Sequence, residues 1–90
     1  MAVLGFEQIT GLSAVKSLTV PAGADKALLQ AESQNVRYRL DAENPTTSVG
    51  LLIISGAAQP TEIHGNLADV RLIEDAASAT LNVTYFGQST

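Results

Sequence analysis

Val36-Arg37-Tyr38-Arg39-Leu40-Asp41 alternates apolar and charged residues over six positions. Successive side chains of a β-strand point to opposite faces of a sheet, so the alternation places the apolar residues inward and the charged residues outward. No other stretch of the chain predicts a strand so clearly. The pattern indicates a sheet with one face against a core and the other face against solvent.

Segments of similar character recur between turn-forming residues. Glycine and proline interrupt the chain often, for example at Gly11, Pro21, Pro45 and Gly65, which leaves little room for long helices. Short strands separated by turns are typical of sandwiches and jelly rolls. We therefore predict an all-β fold, a compact antiparallel β-sandwich or jelly-roll-like domain of about eight short strands. The predicted strands cover residues 6–10, 15–20, 27–32, 36–41, 49–55, 61–64, 70–74 and 81–86.

One segment predicts the centre of the sandwich, and two others favour a fold that contains helices. Residues 49–55 are almost continuously apolar, which predicts a strand covered on both faces at the centre of the sandwich. Residues 25–34 and 66–79 contain many good helix formers. Helices there would turn the fold into an α+β domain, and this is the alternative to the all-β prediction.

Length and composition indicate one folded domain. The chain has 90 residues, of which 46% are hydrophobic and 16% charged, and such a chain has enough apolar surface to collapse. We expect one β domain over residues 1–90, with residues 1–5 and 87–90 as flexible arms. Because so small a domain has a narrow margin of stability, we also expect a homo-oligomer, either a trimer or a dimer.

Charge and cysteine content argue against several classes of protein. A net charge of −4 with only five Lys and Arg residues does not fit a nucleic-acid-binding surface, which needs clustered cations. The absence of cysteine excludes a disulfide framework and a thiolate nucleophile. The first residues lack the features of a signal peptide, and the longest apolar run is too short to span a bilayer. We expect synthesis in the cytoplasm and no membrane partner.

No constellation of residues predicts catalysis. His64 is the one histidine of the sequence, so imidazoles cannot gather around a metal. The sequence has no Gly-x-Ser-x-Gly elbow and no glycine-rich phosphate loop, which argues against a hydrolase and against nucleotide cofactors. The acidic residues at 41–44 run into Pro45 and predict a turn rather than a calcium loop. We expect no enzyme, no catalytic residue, no metal, no cofactor and no small-molecule substrate.

The arginines are the charged residues that are the strongest candidates for contacts with a partner. Arg37 and Arg39 share one face of their strand, and Arg71 lies in a different predicted strand. A guanidinium matches carboxylates in a two-pronged geometry, which suits contacts between subunits and pairs within a sheet alike. Two interpretations therefore stay open: contacts between subunits, or a solvated sheet face with pairs to Glu32 or Asp41.

Five blocks of the sequence resemble a known group of proteins. They are residues 20–24 (VPAGA), 27–32 (ALLQAE), 36–39 (VRYR), 44–47 (NPTT) and 79–85 (ATLNVTY). In this order and spacing the chain resembles small virion proteins of tailed bacteriophages. It departs from that pattern at residues 40–43, where the group more often has an acid-glycine turn, so a turn of different shape is expected there.

The resemblance implies a structural component of the phage particle. The role implied is that of a capsid decoration, or cement, protein that binds the outer surface of the major capsid protein shell and stabilises the head, after synthesis in the cytoplasm of the bacterial host. The alternative is a structural or adaptor protein of the tail, baseplate or fibre. The candidate contacts with other subunits or with the capsid are Leu4, Phe6, Arg37, Arg39, Asp41, Arg71 and Phe86.

Overall fold

The computed structural model describes residues 2–87, which form eight β-strands and one 3-10 helix. The strands are β1 Ala2–Ile9, β2 Lys16–Ser17, β3 Ala24–Glu32, β4 Val36–Arg39, β5 Leu51–Ile53, β6 Thr61–His64, β7 Arg71–Glu74 and β8 Thr80–Gly87. The helix, η1, spans Leu67–Asp69. Across the described residues, no helix is long and apolar enough to cross a membrane. The prediction of an all-β fold of eight short strands is confirmed.

The strands pair in a nested order. β1 pairs with β8, β2 with β7, β3 with β6 and β4 with β5, all antiparallel. The chain is thus one long antiparallel ribbon whose tip is the β4–β5 connection, and rolling the ribbon adds the pairs β3–β8 and β4–β7. The result is a first sheet in the order β1-β8-β3-β6 and a second sheet in the order β2-β7-β4-β5. Two packed four-stranded sheets of this connectivity form a jelly roll.

The core lies between the two sheets. β8 shows strict alternation, with Leu81, Val83 and Tyr85 almost completely buried. β3 contributes residues of the same side, and β4 and β7 of the second sheet face them with Val36, Tyr38 and Leu72. Burying a side chain of this size stabilises the fold by about 1.5–3 kcal/mol. The period-two pattern of the sequence therefore marks the inner face correctly.

The stretch 36–41 behaves as predicted up to Arg39 and differs after it. Val36 and Tyr38 are buried, while the arginines between and after them face outward. β4 ends at Arg39, and Leu40 is 46% exposed instead of buried. The chain turns here because Ala42 has a φ of 64°, which cannot continue a strand. Residues 40–43 form a bend with one left-handed residue, Ala42.

The prediction for residues 49–55 is wrong in its position within the sandwich. β5 covers only Leu51–Ile53 and lies at the edge of the second sheet, paired with β4 alone. Ile53 is buried, but Leu51 and Leu52 are exposed. An apolar run marks a strand as hydrophobic on both faces, and it cannot show whether a second strand or a second sheet reaches those faces.

The helical alternative is wrong. Residues 25–34 are mostly strand β3, and residues 66–79 contain the single 3-10 turn η1 and strand β7. Asn66 caps the start of η1 by accepting a hydrogen bond from Ala68 N at 3.3 Å. Residues 2–5 do not form a flexible arm, because they begin β1 and pair with β8. Gly87 is the last residue of β8, and the remainder of the two expected arms lies outside the described residues.

Candidate interaction surfaces

An apolar patch covers part of the first sheet on the face turned away from the core. We call it the outer patch, and it consists of Val3, Phe6, Leu28 and Phe86. Val3 lies opposite Phe86, while Phe6 and Leu28 flank Thr84 from either side. Val3 and Phe6 are each 64% exposed. Large apolar side chains in adjacent rows of a solvent-facing sheet are a feature of interaction sites.

Polar side chains border the outer patch on two sides. The amide of Gln8 donates to Asn82 Oδ1 at 3.0 Å in the row next to Phe6. Toward β6, the Lys26 ammonium forms an ion pair with Glu62 and lies 5.5 Å from the centre of the Phe86 ring. The hydrogen bond from Lys26 lowers the pKa of the Glu62 carboxyl. An apolar centre with a polar rim is the usual anatomy of a protein–protein interface.

Leu4 supports one end of this sheet instead of adding to the patch. A bulge between Val3 and Gly5 shifts the register of β1 and turns Leu4 over Gly87 and Gly23. A Cβ placed on Gly87 would lie 2.6 Å from Leu4 Cδ1 and 2.8 Å from the carbonyl oxygen of Gly23. The close approach at this end of β8 therefore requires a glycine at position 87.

Glu7 and Tyr85 fasten the β2–β3 loop to the first sheet. The Tyr85 hydroxyl donates to Glu7 Oε2, and the same carboxylate oxygen accepts from the Thr19 N–H at 2.8 Å. Burial and the hydrogen bond to Glu7 raise the pKa of the Tyr85 phenol far above its ordinary value of 10.0. The polar end of the buried ring therefore links β8, β1 and the β2–β3 loop beneath the outer patch.

A second apolar surface lies at the edge of the second sheet. We call it the β5 edge, and it consists of Leu40, Val49, Leu51, Leu52 and Ile54, all exposed. A cleft of about 490 Å³ opens beside it. The residues that line this cleft are Tyr38, Arg39, Leu40, Asp41, Val49, Gly50 and Leu51. The tip of the rolled ribbon thus carries a groove with mostly apolar walls.

Arg37 shapes the loop that leads into the β5 edge. Its Nε donates to the carbonyl oxygen of Thr47 at 3.2 Å and to Asp75 Oδ1 at 3.4 Å, and its Nη1 donates to the carbonyl oxygen of Gly50 at 3.1 Å. Gly50 has a φ of 136°, a conformation in which a side chain is strained. The guanidinium is therefore used within the chain, where it ties β4 to the β5 loop.

The other two arginines are also bound within the chain. Arg39 makes a two-pronged pair with Asp41, from Nε to Oδ1 at 3.0 Å and from Nη2 to Oδ2 at 2.5 Å. This pair raises the pKa of Arg39 and lowers that of Asp41. Arg71, which lies opposite Arg39 in the sheet, donates to the carbonyl oxygen of Ala68 at 2.8 Å. Of the two interpretations left open, the contacts of Arg39 match the pairing with Asp41.

The structure divides the seven candidate contact residues between the two sheets. Phe6 and Phe86 belong to the outer patch and Leu4 lies next to it, whereas the three arginines lie on the second sheet and Asp41 lies in the bend after β4. Sequence analysis missed Val3, Leu28 and most of the β5 edge. Val3 and Leu28 lie at positions whose pattern fits a strand. Only the register of β1 and β3 with β8 shows that their side chains share a face with Phe6 and Phe86.

The described residues contain no group of three or more His, Cys, Asp or Glu side chains that could hold a metal ion. His64 lies on the exposed side of β6, 3.7 Å from Glu62 Oε1. Comparisons with known proteins give no relative. No protein-family model, curated protein or solved structure matches the chain. The outer patch and the β5 edge are therefore the candidate functional surfaces of the described residues.

Proposed function

We propose that this chain is a bacteriophage capsid decoration protein that binds the outer surface of the major capsid protein shell and stabilises the head. The observation that carries the proposal is the outer patch. It places two 64% exposed apolar side chains on the solvent face of the more extensive sheet, and a domain of this size gains stability when such a face is covered. A shell surface offers a large fixed partner for a flat sheet face.

Two further considerations support this role. The sequence blocks described above resemble small virion proteins of tailed phages, and jelly rolls are frequent among viral capsid domains. A fold by itself does not specify a function, so the fold adds only a general expectation. The net charge of −4 suits a position outside the shell, away from packaged DNA.

A binding experiment with purified shells tests the proposal. Shells assembled without this chain are mixed with the wild type, with Phe6→Lys and with Leu40→Lys, and the bound fraction is measured by sedimentation. A charge in the centre of the outer patch must be desolvated on docking, so we expect Phe6→Lys to lose at least about tenfold in affinity. Leu40→Lys, a change at a position that is 46% exposed on the β5 edge, is the control and should bind normally.

Two results would contradict the proposal. One is that the wild type does not sediment with shells at all. The other is that Phe6→Lys binds as well as the wild type while both variants remain folded by circular dichroism. The tail, baseplate or fibre role is the second candidate, and the observation in its favour is the exposed aromatic ring of Phe6, which suits stacking on a sugar. Binding to isolated tails instead of shells would favour it.

A further inference from the structure

The two sheets have four edge strands, and three of them carry features that discourage pairing with another chain. β1 has a bulge between Val3 and Gly5, β2 is only two residues long and includes Lys16, and β6 carries Glu62 and His64. Bulges, short length and charged side chains are the usual means by which proteins protect sheet edges. β5 is also short, with three residues, but none of them is ionisable, and its regular pairing with β4 shows no bulge.

The direction of the main-chain groups at β5 follows from the hydrogen bonds of its neighbour. Asp75 N–H donates to the carbonyl oxygen of Asn35 at 2.8 Å, so the odd-numbered residues of β4 turn their main-chain groups toward β7. Val36 and Tyr38 consequently face β5, opposite Ile53 and Leu51. Because these groups alternate along a strand, the N–H and C=O of Leu52 point away from β4, toward the open edge.

The neighbouring carbonyl groups narrow the possible pairing to one register. The carbonyl oxygen of Gly50 accepts from Arg37 Nη1 at 3.1 Å, and that of Ile54 accepts from Ala57 N–H at 3.3 Å. Leu52 is therefore the position of β5 at which both main-chain groups face outward without one of these bonds. An antiparallel pair centred on Leu52 is two-fold symmetric, since the main chain of each Leu52 donates to and accepts from that of the other.

The two-fold register at Leu52 points to a second copy of this chain, and the charge distribution permits its approach at this edge. The chain carries a net charge of −4, so two copies repel each other over most of their surfaces. From residue 44 to residue 61 the sequence has no ionisable side chain at all, and this stretch includes β5 and both of its flanks. Two copies that meet at this edge bring no like charges together, and the pairing places Leu51 of each beside Ile53 of the other.

We propose that the chain forms a two-fold symmetric dimer in which β5 pairs antiparallel with β5 of a second copy, centred on Leu52. The two second sheets then join into one continuous eight-stranded sheet, and the exposed Leu51 and Leu52 side chains pack across the seam. This inference does not depend on the capsid role, because it concerns the chain alone in solution. The outer patch of each copy stays uncovered and free for another partner.

Cross-linking at the two-fold axis tests the register directly. The chain has no cysteine, so Leu52→Cys introduces one thiol per copy, and the opposed Cα atoms of such a pair lie about 5.5 Å apart, within disulfide range. We expect Leu52→Cys to form a disulfide-linked dimer under mild oxidation. Phe6→Cys, at a more exposed position, is the matched control and should cross-link at least about tenfold more slowly, since no dimer holds its thiols together.

Sedimentation equilibrium from about 1 to about 500 µM gives the second test. We expect the wild type to dimerise, Leu52→Lys to raise the dissociation constant at least about tenfold, and Phe6→Lys to leave it unchanged. A monomer at all concentrations, a trimer, or a dimer broken by Phe6→Lys and not by Leu52→Lys would overturn the proposal. So would a monomer whose Leu52→Lys variant loses binding to shells, because the edge would then belong to the capsid protein. Circular dichroism of each variant confirms that it is folded.

Discussion

The outer patch and the β5 edge are both apolar and exposed, but they offer a partner different groups. In the outer patch the main chain of β8 is fully used by β1 and β3, so side chains alone are available. At the β5 edge the main chain of Leu52 faces outward together with the side chains of the strand. A sheet face suits docking onto a broad surface, whereas a bare edge suits pairing with another strand. The two proposed contacts therefore use different surfaces and do not compete.

Removing core volume beneath the first sheet should disturb both surfaces together and have the largest effect. Leu81 is completely buried in β8, between β1 and β3, so Leu81→Ala leaves a cavity in the shared core. We expect a loss of about 2–5 kcal/mol in the free energy of unfolding, measured by urea denaturation. Leu51→Ala, at an exposed position, is the control and should change the stability of the monomer by less than about 0.5 kcal/mol. A small loss in Leu81→Ala would contradict a common core.

Arg37→Ala should affect the β5 edge and spare the outer patch. The substitution removes the bonds to Thr47, Gly50 and Asp75, and the partly buried Gly50 carbonyl oxygen loses its donor, so we expect a loss of about 1–2 kcal/mol. Amide exchange should rise in residues 47–53 and stay unchanged in β8.

Arg39→Ala is the matched control for that experiment. Arg39 lies on the same face of the same strand, but its pair with Asp41 is solvent-exposed, and exposed pairs contribute little. We expect no measurable change in its melting temperature. Faster exchange at the β5 edge in Arg39→Ala, and not in Arg37→Ala, would show that Arg37 does not hold the loop.

Gly87→Ala should affect the opposite end of the molecule. The added methyl group meets Leu4 Cδ1 and the carbonyl oxygen of Gly23 at less than 3.0 Å, so the Leu4 side chain at the start of β1 and the main chain at Gly23 have to move. We expect a loss of about 1–2 kcal/mol, with faster exchange at the start of β1 and an unchanged β5 edge. Gly56→Ala is the control for steric contact, because a Cβ there meets no atom within 4 Å. Its φ of 75° makes the substitution strained, so we expect it to lose stability without faster exchange in β1. Equal exchange in β1 of wild type and Gly87→Ala would contradict the close contact.

Stability should fall in alkaline solution because of Tyr85. Its pKa is raised in the folded state above the ordinary value of 10.0, so the phenol ionises more readily in the unfolded chain. The stabilisation is therefore complete below about pH 10 and is lost as the pH rises further, by up to about 1.4 kcal/mol per pH unit. In Tyr85→Phe the free energy of unfolding, measured by urea denaturation between about pH 9 and 11, should fall less steeply with pH. The difference in slope should correspond to the ionisation of one tyrosine. The same decline in both proteins would contradict this assignment.

The sequence predicts the strands well wherever a strand has one buried and one solvated face. β4 and β8 are of this kind, and their alternation marks both the strand and its inner side. Residues 49–55 and Leu40 were misplaced for a physical reason: apolar character measures what a side chain prefers, and the position of a strand in the sheet depends on pairings far apart in the chain. The pairing of β1 with β8 joins residues separated by most of the sequence. Local sequence patterns contain no information about such a pairing.

The candidate surfaces were harder to predict than the fold. Phe6 and Phe86 could be named as contacts because large aromatic residues outside a clear core pattern stand out, but the arginines could not be judged without their partners. Arg37 and Arg71 bind main-chain carbonyl groups, and a carbonyl partner leaves no trace in the sequence. The β5 edge could not be predicted either, because an open edge is defined by the absence of a neighbouring strand, and strand order is not contained in local sequence patterns.

Quantitative mass spectrometry of gradient-purified phage particles decides whether this chain decorates the capsid. The amount of this chain is measured relative to the major capsid protein of the same particles. A decoration protein on a symmetric shell binds at many equivalent positions, so we expect a number of copies of the same order as that of the capsid protein. A handful of copies per particle would place the chain in the tail, and its absence from the particles would rule out a role in the virion.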